Sequence, residues 1–135
     1  MSLGGLQSRK EFLFVRQGVR AGRAQLVIEA RRRAPDGPAR FGLTATKKIG
    51  NAVVRNRARR RLRAAARALL PELGVPGVDY VLIARNGTAA CPWTALLDDL
   101  RSALISVRDL IDGQGAGGAR ARGARPARQP PPKPS

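Results

Sequence analysis

An α+β fold, a single small domain reading α-β-β-α-β-α with its helices on a mixed sheet, is what this sequence predicts. Three observations carry that prediction. The hydrophobic period changes from helical to alternating near residue 24 and returns to helical after residue 51. Asp79-Tyr80-Val81-Leu82-Ile83-Ala84-Arg85 is a nearly continuous apolar run, as in a strand buried on both faces, and it should pair parallel to an earlier strand with the preceding helix as crossover. A chain of 135 residues holds one core with tails rather than two domains.

Charge narrows the partner classes. At a formal net charge of +17 the chain opposes its own compaction and attracts polyanions, so nucleic acid leads and an anionic membrane surface follows at a distance. With aromatics scarce, the core has to be built from Leu, Ile, Val and Ala. The chain has no His and a single Cys91, which excludes an internal disulfide and any Cys/His metal site and fits a reducing, cytoplasmic compartment. Cys91 itself reads as a small buried hydrophobe. No run is long enough to span a membrane, and the N-terminus lacks the apolar core of a signal peptide, so no membrane association is expected.

The elements follow in order. Residues 1–7 read as a flexible leader. Ser8-Arg9-Lys10-Glu11 matches a capping box, and a short helix carrying Phe12, Phe14 and Val15 should follow until Gly18 stops it. Phe12 suits either core packing or a functional aromatic at a groove edge. From Ala24, Leu26, Ile28 and Ala30 alternate with Val27, Glu29 and Arg31, the pattern of a half-buried strand. Arg31-Arg32-Arg33, read as a solvated strand end, leads into the turn residues Ala34-Pro35-Asp36-Gly37-Pro38. A hairpin is expected there, with a return strand from about Arg40 to Lys47 that turns Phe41, Leu43 and Ala45 inward.

Asn51 is a good N-cap for the next helix, which should run to Leu70 and end at Pro71. Val54, Ala58, Leu62, Ala65 and Leu69 make a narrow buried stripe, and Arg55, Arg59, Arg63 and Arg67 form an i,i+4 row beside it. Stacked like charges cost about 0.2–0.5 kcal/mol per pair, and no carboxylate lies between Asp36 and Glu72 to relieve them, so an anionic partner is implied. After Asn86-Gly87 breaks the apolar strand, Pro92 opens a last helix with Leu96, Leu97, Leu100, Leu104, Val107 and Ile111 facing the sheet. Trp93 reads as packing rather than a stacking platform, and Asp98, Asp99 and Asp109 as solvent-facing. Residues 113–135 are Gly, Ala, Arg and Pro, too poor in large apolar groups to offset ordering entropy: a disordered basic tail that either aids RNA binding or merely solubilises.

The most specific stretch is Lys47-Lys48-Ile49-Gly50-Asn51-Ala52-Val53 followed by Arg55-Asn56-Arg57 and Arg59-Arg60-Arg61-Leu62-Arg63. It closely resembles the signature of the protein subunit of bacterial ribonuclease P. Leu6 through Arg9 to Glu11-Phe12, then Arg40-Phe41-Gly42-Leu43, then Asp79 to Arg85 fall in that family's order, and the likeness covers roughly residues 6–111. Residues 8–112 thus resemble the RNA-binding domain of that family. Independently, Arg offers a planar fork that grips phosphate bidentately, and a helix with Arg on several faces can bridge RNA segments. Asn56 can contact sugars or bases, or turn inward as a cap.

The resemblance implies an endoribonuclease that removes the 5′ leader of precursor tRNA, with catalysis by an RNA subunit and no catalytic residue in the protein. It places Asn51, Arg55, Asn56, Arg57, Arg59, Arg60, Arg61 and Arg63 on the catalytic RNA. It places Phe12, Arg16, Thr46, Lys47, Lys48, Arg85 and Asn86 on the precursor leader, in a cleft between the first helix and the sheet. Magnesium is then expected through the RNA subunit, no metal or cofactor on the protein alone, and no protein partner is required. The same resemblance implies a left-handed crossover, against the strong general preference for right-handed ones. Arg16 and Glu29 stand where many family members carry aromatics, so base stacking in the cleft falls to Phe12 and to the Arg16 guanidinium. A ribosomal or other structural RNA-binding protein accounts for the charge and fold class but leaves the signature unexplained.

Overall fold

The computed structural model describes residues 3–117. Five strands, β1 (Leu3–Gly5), β2 (Val19–Gly22), β3 (Leu26–Arg32), β4 (Ala39–Thr44) and β5 (Val78–Ala84), form one mixed sheet in the order β1-β4-β5-β3-β2. Helices α2 (Ala52–Leu73) and α3 (Trp93–Gly117) cover one face, and the short helix α1 (Arg9–Arg16) lies on the other.

The all-apolar run takes the middle of the sheet. β5 is buried nearly throughout, pairs parallel to β4 and antiparallel to β3, and is joined to β4 through α2, as the sequence predicts. Its central place overturns the expected hairpin: β3 and β4 never pair, because β5 inserts between them. The hairpin lies one strand earlier, between β2 and β3, where the Arg23 N–H donates to the Leu26 carbonyl at 2.9 Å.

Two more expectations need correction. Leu3–Gly5 is no loose leader but an edge strand parallel to β4, and Leu6 behind it is buried. α2 does not stop at Leu70. It passes through Pro71 to Leu73, since the carbonyl deprived of a partner belongs to Arg67, on the exposed side, and Gly74 N–H closes the last turn on Leu70 at 2.7 Å. The residues expected to form the tail begin within α3, which reaches Gly117; those from 118 onward lie outside the described residues.

The main core lies between the sheet and α2 and α3. It holds Leu26, Ile28, Tyr80 and Leu82 against Leu62, Leu70, Leu96, Leu100 and Leu104. Ala58, Ala65 and Ala66 on the buried stripe of α2 let that helix sit close to the sheet. Tyr80 is fully buried, which raises its phenol pKa, and its hydroxyl accepts the Val75 N–H at 2.9 Å. On the far face a smaller core joins Leu6, Val15 and Val81 with Phe12, Phe14 and Ile83. Val27 and Glu29, which alternate with the apolar face of β3, are buried as well, and Glu29 Oε2 accepts Arg20 Nη1 at 2.8 Å. Asp99 is likewise not free, as it accepts the Gln25 N–H at 2.9 Å.

Candidate RNA-binding surfaces

The chain turns into α2 at Gly50, whose φ of 145° favours glycine and where a Cβ would lie 2.9 Å from the Val54 side chain. Asn51 then caps the helix, its side chain accepting the Val54 N–H at 3.0 Å. The sequence row Arg55, Arg59, Arg63 and Arg67 divides in space. Arg57, Arg60, Arg63 and Arg67 are exposed together with Asn56, and none of the ion pairs among the described residues involves α2.

The flanking arginines are engaged within the protein. Arg59 donates to Asn56 Oδ1 at 3.1 Å and to the Ala45 carbonyl at 3.4 Å. Arg61 donates to the carbonyls of Thr88 at 2.7 Å and Cys91 at 2.6 Å. Arg55 is half-buried, and its Nε has no partner among the described residues. Val53, 68 % exposed in the first turn, shares a shallow hollow with Asn56, Arg59, Arg60 and Arg63. The structure therefore presents Arg57, Arg60 and Arg63 outward and uses Asn51, Arg59 and Arg61 in part as struts.

The second surface lies on the opposite face of the sheet, beside α1. The capping box expected at Ser8 is present: Ser8 Oγ accepts the Glu11 N–H at 3.2 Å, and Glu11 Oε1 accepts the N–H groups of Gln7 at 2.7 Å and Ser8 at 3.1 Å. α1 thus holds Phe12 over Gly42 of β4, where a Cβ would come within 2.5 Å of the ring. Only glycine leaves Phe12 that seat. Phe12 is half-buried, and Arg16, one turn later on α1, is exposed. Thr46, Lys47 and Lys48 are exposed around a short 3₁₀ turn that continues β4. Arg85, beyond the end of β5, extends toward β2, its Nη1 lying 3.9 Å from the Cβ position of Gly22, and Asn86 beside it is exposed. The residues predicted for the cleft thus come from α1, from the turn that follows β4 and from the loop that follows its parallel neighbour β5.

One cluster escaped the sequence reading. Asp79, 1 % exposed in its side chain, receives Arg40 through Nε on Oδ1 at 2.9 Å and Nη2 on Oδ2 at 2.7 Å, and receives Arg33 Nη1 on Oδ1. Arg33 is therefore no solvated strand end. Arg40 also meets Glu11 at 3.4 Å, so one guanidinium ties β4, β5 and the cap of α1 together. The bond to Asp79 raises the Arg40 pKa and keeps it charged. A lone carboxylate inside an otherwise apolar strand was the available signal.

Glu11 has a lowered pKa, chiefly because the backbone N–H groups of Gln7 and Ser8 bond its carboxylate, with Arg40 adding to the effect. Its stabilising contribution is complete above the unfolded value of about 4.3 and is lost as pH falls through the lower folded value. Glu11→Gln keeps a capping side chain without the charge. The gap in urea midpoint between wild type and Glu11→Gln should be widest at neutral pH and close as pH drops below about 4. A gap independent of pH would show that the charge contributes nothing.

Among the described residues, no group of three or more His, Cys, Asp or Glu is placed to hold a metal ion, and no helix is long and apolar enough to cross a membrane. The sequence profile of the family described as Ribonuclease P matches residues 4–108. The chain belongs to the ribonuclease P protein family. It is 49 % identical over 108 residues to the ribonuclease P protein component of Caulobacter vibrioides, covering 79 % of this chain and 72 % of the relative. With that of Ruegeria pomeroyi it shares 52 % identity over 103 residues, covering 73 % and 82 %. Solved structures of this family have the same fold. A mutant RNase P protein of Staphylococcus aureus superposes with a TM-score of 0.67 at 21 % identity, covering 77 % of this chain and 87 % of that one. The RNase P protein of Thermotoga maritima gives 0.62 at 24 % identity, covering 72 % and 91 %.

Proposed function

We propose that this chain is the accessory protein of a ribonuclease P whose catalyst is RNA, docking that RNA on α2 and holding the 5′ leader of precursor tRNA in the α1 cleft. The observation that supports the reading is that α2, with its exposed arginines, covers one face of the sheet while α1, with Phe12 and the exposed Arg16, lies on the other. A protein so built can hold two RNA segments at once. The outward arginines of α2 grip phosphates of the catalytic RNA, and Phe12, Arg16, Lys47, Lys48, Thr46, Arg85 and Asn86 take a single strand. Magnesium is held by the RNA, and the enzyme works in the cytoplasm without another protein.

The test is precursor-tRNA cleavage by bacterial ribonuclease P RNA at low magnesium with and without the purified protein. Added protein should raise the rate, and no gain would favour a structural RNA-binding role instead. In the same assay Phe12→Ala should weaken binding of precursor tRNA roughly tenfold, the scale of one lost base–aromatic stack, and leave mature tRNA unaffected. Phe12→Leu, which keeps an apolar side chain over Gly42, separates stacking from packing. Equal losses on precursor and mature tRNA would assign Phe12 to the core alone.

A further inference from the structure

The chain has five aromatic residues: Tyr80 is buried, Phe14 and Phe41 are half-buried by packing, and Phe12, half-buried over Gly42, is assigned to the leader. Trp93 is different. It stands at the start of α3 with 39 % of its surface exposed. The Arg61 guanidinium lies over its ring, 5.8 Å from the centroid.

The cation is fixed in place. Arg61 is held by the Thr88 and Cys91 carbonyls, and the loop that supplies them is itself pinned. Arg85 N–H donates to Thr88 Oγ1 at 2.8 Å, the Thr88 hydroxyl donates to the Gln25 carbonyl, and Cys91 N–H bonds the Gly87 carbonyl at 2.9 Å. An indole backed by an immobilised cation presents a flat surface at little entropic cost. Its location matters as much. Arg57 lies one turn before Arg61 on α2, so the indole adjoins the outward arginines, and α3 covers the same face of the sheet as α2. α1 and Phe12 lie on the other face.

We propose that Trp93 is a stacking contact for the catalytic RNA, taking one unpaired nucleobase at the border of the phosphate track on α2. This rests on the reading of α2 as an RNA dock and extends it from charge to a base contact. Stacking tolerates any base, so Trp93 adds affinity with little sequence preference. Arg61 acts through Trp93 and the loop rather than by gripping phosphate.

Trp93 is the chain's single tryptophan, which makes the full-length protein its own probe. Titration with ribonuclease P RNA should change the indole emission with the same midpoint as binding followed by filter retention, and bound RNA should shield the indole from acrylamide. Trp93→Leu should lower affinity roughly five- to a hundredfold, while Trp93→Phe keeps most of it. Neither substitution should change the slope of log affinity against log salt, since no phosphate contact is lost. Emission and acrylamide access that ignore saturating RNA overturn the assignment, as does wild-type affinity in Trp93→Leu. Should Trp93→Leu fail to fold, the wild-type emission decides alone. A wild-type protein that does not bind the RNA at all would instead remove the dock, and this contact with it.

Discussion

Replacing Asp79 with alanine should destabilise the domain by about 3 kcal/mol, the lower part of the 3–5 kcal/mol range for breaking a buried pair from one side. Two guanidiniums converge on this carboxylate, and neither has an equivalent alternative. Arg40 would keep only Glu11 at 3.4 Å, and Arg33 only the Pro38 carbonyl. The side chains of Arg33 and Arg40 are 20 % and 27 % exposed, so water reaches them in the variant, which is why the lower end applies. Asp79→Asn retains one acceptor and should fall between. Urea unfolding measures both, with the midpoint moving and the slope unchanged. A loss under 1 kcal/mol for Asp79→Ala would mean that the pair only offsets its own desolvation. Because Arg40 reaches the cap of α1, the same substitution should loosen Phe12 over Gly42 and weaken precursor binding beyond the loss of stability.

That network shows where sequence reading stops. Ser8, Asn51, the stripe of α2 and the apolar run of β5 were legible because each is a local pattern, complete within about one or two turns or a single strand. Asp79 meets partners 39 and 46 positions away, and nothing near it in the chain announces them. The misplaced hairpin has the same cause. Pro35 to Pro38 does reverse the chain, but whether the two flanking strands pair depends on β5, which arrives later and needs a neighbour on both edges. β1 and β2, of three and four residues, are too short to show a period. On α2 the seven arginines look alike in sequence. Their division into free cations and struts is set by helical angle: Arg59 and Arg61 fall on the two flanks, where the end of β4 and the loop after β5 offer carbonyls.

That division makes the sharpest test of the dock. If Arg57, Arg60, Arg63 and Arg67 each neutralise one phosphate, log affinity for the RNA should fall against log salt with a slope of roughly −3 to −4. Removing Arg57 and Arg60 together should cost roughly tenfold in affinity per arginine at moderate salt and make the slope shallower by about 1.5. Their side chains touch no carboxylate among the described residues, so the unfolding midpoint should hold or rise as like-charge repulsion along the helix is relieved. Arg61→Ala should do the reverse. Two carbonyls of a pinned loop lose their donor, the unfolding midpoint drops, and the salt slope stays as in wild type. Binding measured over a salt series, with unfolding followed on the same preparations, separates the two classes. Equal slope changes for Arg57 and Arg61 would show that the division seen in the free protein does not survive docking, because RNA would then have drawn Arg61 away from the loop.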